Sequence, residues 1–158
     1  MTNYSKQYVR TLLELCDKSL TKEHRVYEML VKQGKVFDNP VEAPVELMDT
    51  GNCFDNAYEY AVKYKLKYCE GYACDGMPKE HAWCIKRGKM VVDPTWGVAG
   101  SDYFGYIVDL DSVSRLRMAT GMPGVFCQSW ETIREFVRLE KRWAKPVRLS
   151  PAEIRRAS

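Results

Sequence analysis

The sequence predicts an α+β fold. Apolar residues recur at helical spacing in the first 65 residues and again beyond residue 110. Between them, the stretch from Tyr68 to Asp93 breaks into short segments rich in aromatic and β-branched residues, separated by Gly-containing turns. At 158 residues, 46% hydrophobic and 28% charged, the chain can bury one core, and a single domain over 1–158 is expected. Apolar runs are too short for a membrane span, and "MTNYSKQYVR" lacks the apolar centre of a secretory signal, so the expected location is cytoplasmic. The six cysteines are therefore expected as free thiols.

The elements follow in order. Val9, Leu12, Leu13, Cys16 and Leu20 mark a first helix; Thr21 offers an N-cap to a second, which carries Val26, Met29 and Leu30 and stops at Gly34. The segment "FDNPVEAPVELMDTGN", with two prolines and several turn formers, is a loop that delivers the chain to Cys53. Phe54, Ala57, Tyr58, Ala61 and Val62 then form an apolar stripe, predicting a core-facing helix from 53 to about 65. "YCEGYAC", "HAWCIK" and "KMVVD" read as antiparallel strands joined at Asp75-Gly76 and Arg87-Gly88. "YFGYIV" is a further strand, followed by a helix from about Asp111 to Ala119 ending at Gly121 and another capped by Ser129 with Ile133, Phe136 and Val137 inward. The basic end, about 144–158, is expected as a solvated tail, although "SPAE" has the form of a capping box. A net charge of +3, with no aromatic platform beside the basic residues, argues against a nucleic-acid partner.

Chemistry concentrates at Cys53. A cysteine opening a helix gains from exposed amide N–H groups and the positive end of the helix dipole, which favour the thiolate and can later bind an oxyanion. Such a thiolate needs an imidazole to move its proton and a carboxylate or amide to orient that imidazole. Of the two histidines, His24 falls in a surface helix between Glu23 and Arg25, whereas His81 opens the strand "HAWCIK". Asp93 closes the next strand after a tight turn, and pairing across that hairpin brings His81 and Asp93 side by side.

The ordered set "GNCFDNA", "GYAC", "EHAWC" and "KMVVDPTW" resembles the core of the transglutaminase-like superfamily of papain-related thiol enzymes, over residues 51 to 96. The resemblance implies Cys53 as nucleophile, His81 as general base and acid, and Asp93 as the group that orients His81. It also implies a central helix packed on an antiparallel sheet and an acyl-enzyme route on a peptide, protein or small amide substrate, with water or an amine as acceptor and no cofactor. Members of the superfamily often carry a tryptophan or glutamine upstream of the cysteine as a second oxyanion donor; here Leu47 lies six residues upstream and no tryptophan precedes Cys53. The Cys53 N–H, with Asn52, Asn56 or Gln33 as side-chain candidates, is left for that role. Trp83 and Trp96 are expected as core or cleft-wall aromatics beside the substrate.

Two other readings stay open. One is a catalytically silent binding module of the same fold. The other is a small zinc-stabilised domain using Cys69, Cys74, His81 and Cys84, against which strand alternation places Cys69 opposite in facing to Cys74, and His81 to Cys84.

Overall fold

The computed structural model describes residues 3–15, 21–37 and 41–125. The described chain runs α1 (Tyr4–Leu15), α2 (Thr21–Gln33), β1 (Lys35–Phe37), α3 (Cys53–Tyr64), β2 (Lys67–Asp75), β3 (Met77–Lys86), β4 (Met90–Val92), β5 (Asp102–Val108) and α4 (Leu110–Thr120). The fold is α+β, with a curled antiparallel sheet in the order β1-β5-β2-β3-β4. Cys16, Leu20, Cys127, the helix expected after Ser129 and the basic tail lie outside the described residues.

The register sorts every strand residue by parity. Lys35 pairs with Gly105, Cys69 with both Trp83 and Ile107, and Ile85 with Val91, so odd-numbered residues share one face across all five strands. Phe37, Cys69, Ala73, Trp83, Ile85, Val91 and Tyr103 form the core on that face. Even-numbered Tyr68, Tyr72, Ala82, Cys84, Val92, Phe104 and Val108 face the helices, where Val9, Leu30, Ala57 and Leu116 meet them.

Side chains fix the helix ends. The Asn3 carboxamide oxygen accepts from Lys6 N at 2.8 Å, and Asp102, at the start of β5, accepts from Tyr4 N and Ser5 N at 3.1 and 3.0 Å, so the sheet itself caps α1. Asp109 accepts from Ser112 N at 3.1 Å to open α4, and Gly121 closes it in the left-handed conformation.

Three expectations are corrected. Strand β1 was not anticipated, because three residues are too few to display a period. Strand β3 begins at Met77, four residues before His81, and includes Pro78; β4 pairs only with Cys84 to Lys86, so at Pro78 the strand has a neighbour on one side only and a missing N–H is tolerated. In α3, Val62 is 55% exposed while Tyr60 is buried, because the Tyr60 ring packs inward and its hydroxyl oxygen still accepts a bond from Val45 N at 2.8 Å.

Candidate active site

The loop of residues 41–52 is tied at both flanks before it reaches Cys53. On the sheet side, Glu42 N donates to Val91 O at 2.8 Å, Glu42 forms a parallel bridge with Val92, and Met48 N donates to Pro94 O at 2.7 Å. On the helix side, Lys63 pairs with Glu46 at 2.5 Å and Val45 meets Tyr60. The chain then turns through Gly51, and Cys53 becomes the first residue of α3. The first bond of this helix runs from Asn56 N to Asn52 O at 2.9 Å, which leaves the amides of Cys53, Phe54 and Asp55 ahead of the helical ladder. Cys53 is half-buried and free. Asp55, two residues on, pairs with Arg117 of α4, whose guanidinium also lies 4.6 Å from the centre of the Tyr58 ring.

His81 and Asp93 meet, but by a diagonal and not as the directly opposed pair that the hairpin spacing implies. The β3–β4 register aligns Cys84 with Val92, which sets Asp93 level with Trp83 and one same-face position away from His81. Across that diagonal, His81 Nε2 lies 2.7 Å from Asp93 Oδ2. Both side chains are buried. The turn joining the strands helps: Arg87 and Gly88 both take positive φ, as a tight hairpin of this hand demands.

Asp93 is saturated with donors. Its Oδ1 accepts from Thr95 N at 2.9 Å and Trp96 N at 3.0 Å, and its Oδ2 accepts from the Tyr103 hydroxyl at 3.0 Å as well as from His81. Four bonds occupy about the four lone-pair sites of a carboxylate. The group cannot rotate without losing several of them, so the imidazole it faces is held in one orientation.

With Nε2 committed to Asp93, the other ring nitrogen is left for Cys53, which acts on His81 electrostatically. Burial of the ring disfavours its charged form. The hydrogen bond to Asp93, and the charges of Asp93 and Cys53, outweigh that and push the imidazole up to about 9 from its ordinary 6.5. The Trp96 ring stacks on His81 with centroids 3.8 Å apart and planes 14° from parallel. Trp83 lies beyond, 6.3 Å from His81, edge-on to Tyr103 at 5.1 Å and fully buried, so it is a core residue rather than a substrate-facing wall.

The remaining candidates separate clearly. Asn56 is buried, and its Nδ2 donates to Asp49 O at 2.7 Å and to Thr95 Oγ1 at 3.1 Å; both amide hydrogens are thereby used, and the side chain ties α3 to the turn that holds Asp93. Asn52 is exposed at the N-cap, and its side chain makes no capping bond. Gln33 ends α2 on an exposed position, and no described contact joins it to Cys53, His81 or Asp93. Thr95 and Tyr103 are the site residues that sequence reasoning did not reach. Tyr103 stands on β5, two strands away from β3 in the sheet order, and nothing local in "YFGYIV" marks its hydroxyl as aimed at Asp93.

Parity places Cys69 and His81 on one face of the sheet and Cys74 and Cys84 on the other, so those four do not converge on one point. Cys84 Sγ instead donates to Ala57 O at 3.3 Å. Among the described residues, no helix is long and apolar enough to cross a membrane. Comparison with protein-family models, with curated proteins and with solved structures returned no match.

Proposed function

We propose that this chain is a transglutaminase-like thiol enzyme that transfers an acyl group from an amide or ester through a thioester at Cys53. The observation that carries the reading is His81 itself, bonded through Nε2 to a donor-saturated Asp93, with its other ring nitrogen left for the half-exposed thiol of Cys53 at a helix start, whose charge raises it. The arrangement of a central helix with Cys53 at its first residue, packed on an antiparallel sheet that carries His81 and Asp93, supports a papain-like core.

The chemistry follows from the positions. With the proton of the Cys53–His81 pair on His81, the Cys53 thiolate attacks the substrate carbonyl carbon, forming the S–C bond while charge develops on the carbonyl oxygen. The N–H groups at the start of α3 are free of the helical ladder and are the donors for that oxygen, with the Asn52 carboxamide beside them. His81 then gives its proton to the leaving nitrogen or oxygen, and the C–N or C–O bond breaks to leave the thioester. Water or an amine, deprotonated by His81, attacks the thioester carbon, the C–S bond breaks and the thiol is restored. A cytosolic setting, in which thiols stay reduced, suits the four free cysteines among the described residues.

Intact-mass analysis after exposing the protein to a library of amides and activated esters tests this. An acyl adduct that maps to Cys53, is lost in Cys53→Ala, and is strongly reduced in His81→Ala but not in His24→Ala is the expected result. No adduct, or one that survives Cys53→Ala, refutes it.

A further inference from the structure

We propose that Tyr103 is a positioning residue of this site: its hydroxyl shares Asp93 Oδ2 with His81, and so sets how strongly His81 holds its proton. The proposal rests on the Cys53–His81–Asp93 geometry and extends it to a fourth side chain. Tyr103 is buried and brings one hydroxyl proton, which it donates to Oδ2 at 3.0 Å, while His81 Nε2 approaches the same oxygen at 2.7 Å. Two donors on one oxygen compete for its charge. The more Oδ2 gives to the phenol, the less it has to stabilise an imidazolium.

The hydroxyl is placed there deliberately by its surroundings. Its ring is fixed edge-on to Trp83, and a Cβ built on Gly100 would overlap the Tyr103 hydroxyl, so the position next to it accommodates no side chain. Burial, followed by the charge and hydrogen bond of Asp93 and the charge of Asp75, holds the phenol far above its ordinary range, which keeps it a neutral donor at every pH at which His81 titrates. Among the described residues, the other group that bears on His81 is Cys53 from α3; Lys79, on His81's own strand, sets its ammonium 6.0 Å from the centre of the Trp96 ring that stacks on His81.

The test reads the imidazole directly. The chain has two histidines, so an NMR pH titration of the ring nitrogens yields two curves, with His24 as the internal reference. Tyr103→Phe removes the competing donor, and Gly100→Ala displaces it without altering Tyr103. Both variants are expected to raise the His81 midpoint by roughly half a pH unit or more while His24 stays fixed. An unchanged or lowered His81 midpoint in either folded variant overturns the proposal. If Tyr103→Phe fails to fold, Gly100→Ala decides alone. The readout needs no acyl donor, so a protein that forms no acyl adduct at Cys53 would refute the proposed function and leave this titration to be judged separately.

Discussion

Stability should fall with rising pH because of one buried imidazole. His81 ordinarily titrates at 6.5 and is pushed up to about 9 in the fold, so the folded state holds a proton that the unfolded chain has released between those values. The sign follows: a raised value contributes stability that is complete below 6.5 and is lost as pH rises through 9. A difference of one proton corresponds to a slope of about 1.4 kcal/mol per pH unit, and between pH 6 and pH 8.5 the loss integrates to about 2 kcal/mol. Urea melts of the wild type and of Asp93→Asn across that range measure it. The wild type should lose about 2 kcal/mol, and Asp93→Asn should lose much less, since its amide no longer supplies the charge that holds the proton. Cys69 and Cys84, raised chiefly by burial, titrate on unfolding only toward the upper end of this window and cancel between the two proteins, and repeating both melts in a Cys53→Ala background removes the thiol that can share its proton with His81. Parallel curves would show that Asp93 does not hold a proton on His81, and the reasoning would fail.

Alkylation of the native protein should modify Cys53 well before Cys69 and Cys84, which are fully buried and whose thiols burial pushes up; peptide mapping that finds comparable rates at all three would count against the site. Asn56→Ala strands Asp49 O and Thr95 Oγ1 and should lower unfolding free energy by about 2 kcal/mol while slowing Cys53 alkylation, whereas an unaffected melt would mean that the bridge between α3 and the Asp93 turn is incidental. In acyl transfer, Asp93→Asn should retain part of the rate and Asp93→Ala less, as progress curves on any substrate found for Cys53 will show; equal losses would point to packing instead of charge.

The sequence made the helix and strand elements legible where the period ran long enough. The apolar stripe of α3 and the punctuation around Asp75-Gly76 and Arg87-Gly88 located Cys53, His81 and Asp93 on their elements, because hairpin pairing is local and its register follows from turn length. What stayed hidden depends on non-local order. That β5 inserts between β1 and β2, and so carries Tyr103 toward Asp93, is a property of sheet order that no spacing in the chain encodes. Asn56 illustrates a different gap. Its type and position beside Cys53 suited an oxyanion donor, but only the folded loop shows that Asp49 and Thr95 already take both of its hydrogens.

The loop that leads to Cys53 also closes one edge of the sheet. Strand β4 is an edge of the sheet, and edges usually recruit an incoming chain by continuing the hydrogen-bond ladder. Here Glu42 N occupies Val91 O and Glu42 bridges Val92, with Met48 N on Pro94 O just beyond, so the outer margin of β4 already has a neighbour from its own chain. An incoming peptide therefore cannot continue the ladder at Val91 and Val92. Under the proposed acyl transfer, a peptide substrate is gripped at the start of α3 and through its side chains instead of along β4.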